Sequence, residues 1–379
     1  MSGIIDRIKN LIAWETSALR PVDPKKIVFT SYYGAGFGDS PRQIAEAVHR
    51  KAPDMKLVWL VKDEAARSSL PEWITCCDYN STERIRELST AKVWVDNCRK
   101  GAMKKRASQI YVQTWHGFAL KRIEKDIADT LPSDYEAYAI RDSRQTDLIV
   151  SDSAFMSELY RKSFWYNGEV AEFGSPRNDA LVHPEESVAA KVKSYFGLPE
   201  DRKLVCYAPT FRKDRSAEAY SVDFSRLKAA CEKRFGGNFA VLIRLHPAVL
   251  TLADGLEFDN ETTFNATPYP DIQELLAVSD VVITDYSSLM FDYMLTGRPC
   301  LQYASDIDAY RNDRNFNFSL DLLPFPLAED NDQLERLILS FDEEDYSGKL
   351  EDFKNKFGIK SDGLASERCA DWILEKMKG

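Results

Sequence analysis

The sequence predicts an α/β protein made of two doubly wound units that face each other across a cleft. Short β-rich runs alternate with helical stretches, a pattern typical of parallel sheets covered by helices on both faces. The alternation pauses in a polar, acidic stretch around residues 183–187 and then restarts. At 379 residues the chain also exceeds the ~250–300 residues at which a single hydrophobic core stops growing.

The composition excludes several classes of protein. Hydrophobic residues make up 44% and charged residues 29% of the chain, as in globular proteins. The seven cysteines are an odd number without CxxC pairs, which argues against a disulfide framework or a zinc site. No apolar run approaches the ~18 residues of a spanning helix, and a net charge of −10 weighs against nucleic acid as a partner. We therefore expect a cytoplasmic enzyme.

The first predicted domain covers residues 21–183. A segment with apolar residues at helical spacing, 1–20, precedes it and is either a helix packed on the core or an amphipathic helix in a membrane interface. Strands are predicted at 27–30, 57–61, 93–95, 110–112, 148–150 and 170–173. Helices are predicted at 43–49, 83–88 and 155–164, the first of them opened by Ser40 and Pro41.

The second predicted domain covers residues 184–350. Its strands are predicted at 204–207, 240–243, 281–284 and 301–303. Its helices are predicted at 224–235, 272–278 and 289–295. The closing segment, 351–379, is predicted to be a helix that packs back across both domains.

A histidine follows one of the predicted strands, where an open α/β sheet binds its ligands. His116 comes just past the strand at 110–112, between Trp115 and Gly117. A histidine there can approach a ligand closely and act as a base near neutral pH. The alternative is a core histidine at a tight turn. His49 and His183 are interpreted as structural or solvated.

Two basic side chains follow the strand at 240–243. Alternation along a strand end places Arg244 and His246 on the same side, so both can reach one anion. The loops with Arg177 and with Pro209, Thr210 and Arg212 also follow strands and offer guanidinium groups suited to phosphate. Taken alone, each of these sequences is more often a surface loop than a phosphate-binding loop. Together with Arg244 they indicate a diphosphate site.

Hydroxyl and acidic side chains follow the strand at 281–284. Asp285, Ser287 and Ser288 come directly before a predicted helix that contains Asp292 in its first turns. The N-terminus of a helix attracts anions, and the serine hydroxyls add donors for a phosphate. The alternative is that the serines only cap the helix.

Five basic residues occur within eight positions of this acidic chain: Arg99, Lys100, Lys104, Lys105 and Arg106. They form either a solvated loop or a patch attracted to anionic lipid headgroups or to a polyanionic acceptor. The spacing of Gly34, Gly36 and Gly38 does not match a dinucleotide fingerprint. Because no metal-binding motif is present either, we expect no metal and no cofactor.

Five motifs in order resemble the CDP-glycerol glycerophosphotransferases of teichoic acid synthesis, over about residues 29–314. Phe291-Asp292-Tyr293 follows the last of them. The motifs are Gln113-Thr114-Trp115-His116-Gly117, Gly174-Ser175-Pro176-Arg177-Asn178-Asp179, Tyr207-Ala208-Pro209-Thr210-Phe211-Arg212, Arg244-Leu245-His246-Pro247 and Ile283-Thr284-Asp285-Tyr286-Ser287-Ser288.

This resemblance implies a GT-B type fold with two Rossmann-like domains. The C-terminal domain then binds the CDP-alcohol, and the N-terminal domain binds a polyprenyl-diphosphate-linked saccharide acceptor at the cytoplasmic face of the cell membrane, as a peripheral, monotopic enzyme. His116 matches the proposed general base, with His246 as the second catalytic residue and Lys121 on the acceptor side. The residues predicted to bind substrate are Trp115, Gly117, Arg177, Pro209, Thr210, Arg212, Arg244, Asp285, Ser287, Ser288 and Asp292. Of these, the resemblance places Arg177, Thr210, Arg212, Arg244, Ser287, Ser288 and Asp292, together with His246, on motifs that line the donor's diphosphate or its glycerol.

Two segments depart from the family pattern. Threonine and proline usually follow the histidine motif, where this chain has Phe118 and Ala119. An arginine-glycine-phenylalanine segment is replaced by Arg314-Asn315-Phe316, followed by Asn317 and Phe318. Both changes bear on the acceptor and the polyol. Because the chain shows no extra N-terminal domain, we expect a short primase or a capsule-type enzyme and not the long polymerase.

The expected reaction is transfer of glycerol phosphate, or a related polyol phosphate, from its CDP-activated form to an acceptor hydroxyl, with release of CMP. Two other functions stay open at this point. One is a GT-B glycosyltransferase or epimerase that uses a UDP- or CMP-sugar. The other is a non-catalytic nucleotide-binding scaffold protein.

Overall fold

A computed structural model describes residues 14, 16–17, 19–62, 64–100, 103–210, 221–245, 258–307, 316–360 and 362–378. The chain divides into two compact units. Unit 1 contains the described residues of Met1–His116, Ile123–Asp179 and Ile359–Gly379. Unit 2 contains those of Gly117–Arg122 and Ala180–Gly358. No helix in the described part of the chain is both long and apolar enough to cross a membrane.

Thirteen strands in the described ranges form two parallel sheets, one in each unit. The strands are β1 (Asp23–Thr30), β2 (Lys56–Val61), β3 (Ile74–Asp78), β4 (Ala91–Asp96), β5 (Ile110–Gln113), β6 (Leu148–Val150), β7 (Glu169–Ala171), β8 (Lys203–Tyr207), β9 (Phe239–Ile243), β10 (Thr263–Asn265), β11 (Val281–Thr284), β12 (Cys300–Tyr303) and β13 (Leu327–Ala328). The sheet of unit 1 has the order β3-β2-β1-β4-β5-β6-β7, and that of unit 2 the order β10-β9-β8-β11-β12-β13.

Helices connect the strands, as parallel pairing requires. The α-helices of the described residues are α1 (Asp39–Lys51), α2 (Glu64–Ser68), α3 (Glu83–Thr90), α4 (Tyr135–Gln145), α5 (Ala154–Ser163), α6 (Asp179–Val182), α7 (Glu186–Tyr195), α8 (Phe224–Phe235), α9 (Ile272–Val278), α10 (Leu289–Tyr293), α11 (Asn331–Leu339), α12 (Glu343–Phe357) and α13 (Ala365–Met377).

Buried apolar side chains cover both faces of the first sheet. Ile27 and Phe29 of β1 pack in one core with Ile44 of α1 and Ile373 of α13. Val28, between them in the sequence, belongs to a second core on the other face. Because side chains alternate along a strand, a continuous apolar run serves both faces, which is why β1 reads as unbroken Ile-Val-Phe.

Each sheet contains one point at which the strand order reverses. In unit 1 this point lies between β1 and β4, and in unit 2 it lies between β8 and β11. Ligands of open α/β sheets bind beyond the carboxyl ends of the strands at such a point. The loops after these strands are therefore the places where the site residues are to be sought.

The predicted α/β class and two doubly wound units are confirmed, and several boundaries differ. The expected single closing helix is wrong: α12 ends at Phe357, followed by Gly358 with φ 63°, and α13 is a separate helix. α12 belongs to unit 2 and α13 to unit 1. The units divide at 179/180 instead of 183/184. Nearly all of the predicted segment 1–20 lies outside the described residues.

Candidate active site

His116 lies in a tight turn just after β5. Trp115 and Gly117 on either side of it have φ values of 52° and 136°. A left-handed conformation costs a bulky residue such as Trp115 free energy, so surrounding contacts must hold it. The Oε1 of Gln113 accepts the Trp115 N–H at 2.9 Å, and the Trp115 ring stacks on the His116 ring at 4.3 Å between centroids.

The imidazole of His116 is held in one tautomer. Its Nδ1 lies 2.8 Å from the backbone oxygen of Asn97, just past β4. Because a carbonyl oxygen can only accept, Nδ1 carries the proton and Nε2 has the lone pair. Burial lowers the pKa of His116 below its ordinary value of 6.5, more than the Asn97 hydrogen bond raises it. The ring is therefore neutral at pH 7 and able to accept a proton.

Asn97 also joins the histidine turn to the loop after β1. Its Oδ1 accepts the Tyr32 N–H at 2.8 Å, and its Nδ2 donates to the Ser31 Oγ at 3.3 Å. The Tyr32 ring lies 5.8 Å from the His116 ring. Sequence reasoning missed Asn97 and Tyr32, although both follow strands at the switch point and reading every strand end would have identified them.

Arg177 lies in unit 1 beside His116 and is engaged by protein groups. Its Nη1 donates to the Asp39 Oδ2 at 3.0 Å and to the His116 backbone oxygen at 2.8 Å. Burial works to raise the pKa of Asp39, but Arg177 and hydrogen bonds from Ser40 and Tyr32 hold it below its ordinary value. In this structure the guanidinium braces the histidine turn, and its predicted phosphate contact stays a prediction.

The predicted basic patch is wrong for two of its five residues. Arg99 and Lys100 are 4% and 8% exposed, because Arg99 pairs with Glu124 and Asp142 and Lys100 pairs with Asp96. The remaining three lie nearer the surface. Lys105 pairs with Asp147 at 2.6 Å, Arg106 donates to the backbone oxygens of Arg20 and Ser89, and Lys104 is exposed.

The buried Arg99 packs against Trp115 in the histidine turn. The guanidinium of Arg99 lies 5.9 Å from the Trp115 ring centroid and 5.1 Å from that of Phe164. Its carboxylate partner Asp142 has a pKa raised to about 6, since burial outweighs the Arg99 charge. Asp142 lies in α4 and Glu124 in the segment before it, so no local sequence motif around Arg99 predicts these ion pairs.

In unit 2, Asp285 ties together the loops after β8 and β11. Its carboxylate accepts from the Thr210 N–H at 2.9 Å and from the Thr210 Oγ1 at 3.0 Å. Asp285 is 1% exposed, and Pro209 beside Thr210 is also buried. The sequence placed these three in direct substrate contact; the structure gives the carboxylate a bracing role at the switch point.

Arg244 carries a positive charge at the same edge of the second sheet. Its Nη1 donates to the backbone oxygens of Ala266, at 3.1 Å, and Tyr269, and it forms no ion pair with any residue that the structure describes. Burial lowers the pKa of Arg244. A half-buried guanidinium that donates to carbonyl oxygens and has no ion-pair partner among the described residues suits an anionic ligand. His246 and Arg212 lie outside the described residues.

The serines precede a helix shorter than predicted, because α10 ends at Tyr293. Ser288 is its N-cap residue and makes no side-chain capping hydrogen bond, while the Ser287 Oγ accepts the Leu289 N–H at 3.4 Å. Asp292 is 4% exposed and accepts from the Gln273 Nε2 at 3.2 Å. The predicted place of Asp292 on a motif lining the donor's diphosphate or its glycerol stays a prediction, and here its side chain is buried against Gln273 of α9.

The chain enters unit 2 directly after His116. Lys121 pairs antiparallel with Phe316, and Asn317 donates from its Nδ2 to the backbone oxygens of Ala119 and Lys121. Phe118 is 3% exposed and packs 4.5 Å from the Phe291 ring. No group of three His, Cys, Asp or Glu side chains in the described ranges is placed to hold a metal ion.

A family model described as CDP-glycerol:poly(glycerophosphate) glycerophosphotransferase matches residues 12–375. The chain belongs to this family. The predicted resemblance and the GT-B type fold are thereby confirmed. The loops that carry the five motifs are those after β5, β7, β8, β9 and β11.

Relatives of the family differ in length. The chain is 31% identical to the teichoic acid poly(glycerol phosphate) polymerase of Staphylococcus epidermidis, over 94% of this chain and 51% of the relative. It therefore spans about half the length of that polymerase. It is 29% identical to the teichoic acid glycerol-phosphate transferase of Staphylococcus aureus, over 92% of both chains.

The fold matches a solved teichoic acid polymerase along the whole chain. The wall teichoic acid polymerase TagF superposes with a TM-score of 0.85 at 30% identity, covering 100% of this chain and 95% of that one. A variant of TagF has also been solved after a soak with CDPG.

Proposed function

We propose that this chain transfers glycerol phosphate from CDP-glycerol to a hydroxyl of a lipid-linked acceptor and releases CMP. The observation that carries the proposal is the state of His116, a neutral imidazole whose Nδ1 proton is held by the Asn97 carbonyl. Such a ring offers a basic nitrogen at the carboxyl edge of a Rossmann-like sheet. Membership of the glycerophosphotransferase family supplies the reaction class.

In this mechanism the acceptor oxygen attacks the phosphorus that bears glycerol. The Nε2 of His116 takes the hydroxyl proton as the new O–P bond forms and the bond to CMP breaks. A well-placed general base contributes about 10²–10⁴-fold in rate. Positioning and electrostatic stabilisation supply most of the remaining catalysis of phosphoryl transfer.

The donor is proposed to bind at unit 2. Arg244 offers a positive charge after β9, and the Ser287 and Ser288 hydroxyls follow β11, so all three lie at the carboxyl edge of one parallel sheet. A guanidinium and hydroxyl donors match the oxygens of a diphosphate. The soak of a TagF variant with CDPG supports the same donor class for this chain.

The acceptor side of the proposal is a saccharide linked to a polyprenyl diphosphate, presented at the cytoplasmic face of the membrane. Of the predicted basic patch, Lys104 is exposed and available for anionic headgroups. We propose no metal requirement, because cationic side chains and hydroxyl donors can stabilise the phosphoryl oxygens.

The test is CMP release by the purified protein with CDP-glycerol, CDP-ribitol or a UDP-sugar, each with and without a lipid-diphosphate disaccharide. Acceptor-dependent release of CMP from one CDP-polyol supports the proposal and identifies the polyol. Release of UDP alone would instead assign a glycosyltransferase. Nucleotide binding without turnover of any donor and acceptor pair would indicate a scaffold protein.

A further inference from the structure

Two adjacent tyrosines beside His116 adopt an uncommon backbone conformation. Tyr32 and Tyr33 have φ values of 44° and 57°, and their side chains are 40% and 43% exposed. Aromatic residues rarely sit at positive φ, and such strain persists only where surrounding contacts hold it. Asn97 holds the Tyr32 N–H, and Asp39 accepts from the Tyr32 hydroxyl at 2.7 Å. The rings are thus presented to solvent from a fixed loop.

Two cations stack on a third tyrosine next to this loop. The Nζ of Lys62 lies 4.7 Å from the Tyr79 ring centroid and 6.0 Å from that of Tyr33. The guanidinium of Arg84 lies 4.6 Å from the Tyr79 ring centroid. These contacts define a tyrosine–cation platform, made of Tyr32, Tyr33, Lys62, Tyr79 and Arg84.

The platform is packed as one unit. The Lys62 N–H donates to the Gly34 backbone oxygen at 2.9 Å. Gly34 has φ 89°, and a Cβ built on it would lie 2.9 Å from the Cβ of Tyr79. A side chain at Gly34 would therefore push the tyrosine loop away from Tyr79, which explains a glycine at this position.

The charge of the platform is uncompensated among the residues that the structure describes. Lys62 and Arg84 each form cation–π contacts there and no ion pair with a described residue. The Nε of Arg84 is buried and has no hydrogen-bond partner in the described chain. Two cations around one tyrosine ring, without a carboxylate partner among the described residues, suit an anionic ligand.

The position of the platform relates it to the histidine. Tyr32, Lys62 and Tyr79 follow β1, β2 and β3, so they lie at the same carboxyl edge of the sheet as the His116 turn after β5. Contacts run from the His116 ring to Tyr32, then along Tyr33 to Lys62, Tyr79 and Arg84.

We propose that the tyrosine–cation platform binds a phosphate carried by the acceptor, behind the hydroxyl that His116 deprotonates. This inference rests on the proposed function, because it assigns the acceptor to the His116 side. Lys62 and Arg84 pair with the phosphate oxygens, and the exposed faces of Tyr32 and Tyr33 contact the carbon skeleton between phosphate and hydroxyl. The phosphate is either a phosphodiester of a growing glycerol phosphate chain or the diphosphate of the lipid-linked saccharide.

The kinetic test compares two small acceptors with CDP-glycerol as donor. Glycerophosphoglycerol carries one phosphodiester between its two glycerols, and diglycerol is a neutral counterpart. For Lys62→Gln and Arg84→Gln we expect the KM for glycerophosphoglycerol to rise about tenfold, or 1.4 kcal/mol, with the KM for CDP-glycerol unchanged. Lys56→Gln, at the opposite end of β2, is the matched control and leaves both KM values unchanged.

A second arm identifies the source of the phosphate. A short-chain glycosyl diphosphate replaces glycerophosphoglycerol as the acceptor in the same variants. A rise in KM confined to glycerophosphoglycerol assigns the platform to a growing chain, and a rise confined to the glycosyl diphosphate assigns it to the lipid diphosphate. An unchanged KM for both phosphate-bearing acceptors, or an equal rise for diglycerol, would overturn the inference.

Calorimetric binding separates this inference from the proposed function. If the wild-type protein releases no CMP from CDP-glycerol, the proposed function fails. Titration of the wild type, Lys62→Gln and Lys56→Gln with both phosphate-bearing compounds still decides the platform. Binding that weakens only in Lys62→Gln supports it, and equal binding or no binding by all three proteins contradicts it.

Discussion

At the scale of single residues, Asn97 fixes the orientation of the imidazole that we propose as the general base. Asn97 supplies a backbone oxygen for the Nδ1 proton of His116, and its side chain holds the Tyr32 loop. A backbone carbonyl fixes the tautomer without adding a charge that would raise the histidine's pKa strongly. The basic nitrogen is therefore positioned by the end of β4, a strand adjacent to its own.

Replacement of the histidine tests its role as base. For His116→Ala we expect kcat for acceptor-dependent CMP release to fall about 10²–10⁴-fold, because the general base is lost. Binding of CMP and CDP-glycerol, measured by calorimetry, should be retained, since the proposed donor contacts lie in unit 2. His49→Gln is the control, because His49 stacks on Trp73 at 4.3 Å as a structural residue. Unchanged turnover of His116→Ala would remove the histidine from the mechanism.

The pH dependence tests the electrostatics of the same group. Burial lowers the pKa of His116, and a base works only when deprotonated. The rate should therefore be lost as pH falls through this lowered pKa, so the midpoint of the acidic limb should lie below 6.5, the ordinary value for histidine. The measurement is log kcat/KM against pH. An acidic limb with its midpoint above 6.5 would contradict this environment.

At the scale of elements, ion pairs join loops that belong to different strands. Arg177 follows β7 and pairs with Asp39 at the start of α1, and both side chains are 6% exposed. Its second donor contact is the His116 backbone oxygen. The pair thus connects a helix start to the histidine turn, and its removal affects stability and catalysis together.

The ion pair between Arg177 and Asp39 predicts how substitutions change stability. Arg177→Met should lower the free energy of unfolding by about 3–5 kcal/mol, because it leaves the Asp39 carboxylate buried and unpaired. Urea denaturation measures this, and Arg177→Met combined with Asp39→Asn should recover part of the loss. A raised KM for CDP-glycerol with unchanged stability would instead restore the predicted phosphate contact.

The two departures from the family pattern are coupled through packing. Phe118, after the histidine motif, lies 6.2 Å from the ring of Phe318, and the Asn317 amide donates to the Ala119 backbone oxygen. Both changed segments therefore meet within unit 2. Asn315 itself lies outside the described residues, so these contacts are made by the residues that follow it.

At the scale of the whole molecule, the two sheets share one strand order about their switch points. Four strands of each sheet follow the same pattern, β3-β2-β1-β4 in unit 1 and β10-β9-β8-β11 in unit 2. The candidate base lies at the carboxyl ends of the strands of the first sheet, and the candidate anion-binding residues lie at the carboxyl ends of the strands of the second. The sequence analysis predicted that these residues follow strands, because each strand end is marked by a local change from apolar to polar residues.

The positive charge of Arg244, after β9 in the second sheet, predicts that the reaction needs no metal ion. We expect acceptor-dependent CMP release to persist in EDTA at the untreated rate, because Arg244 and the serine hydroxyls can stabilise the diphosphate without a metal ion. The measurement is CMP release before and after chelation, with Mg²⁺ added back. A loss of activity in EDTA that Mg²⁺ restores would show that a divalent ion is required.

Strands that the sequence analysis missed share a physical reason. The missed strands are β3, β10 and β13. All three lie at an edge, β3 in the first sheet and β10 and β13 in the second. β13 has two residues and β10 three, and β3 exposes Thr75. Edge strands are covered less completely, so they lack the continuous apolar run that identifies central strands.

The sequence by itself determined the two-unit α/β fold, the family and the placement of His116 at a strand end, because these depend on local patterns. Only the tertiary structure decided which charges are free to meet a substrate. Arg177 and Asp39 are 138 positions apart, and Arg99 and Glu124 are 25 apart. Whether a cation is buried in an ion pair depends on carboxylates that folding brings from distant segments, and this separates bracing arginines from those facing a ligand.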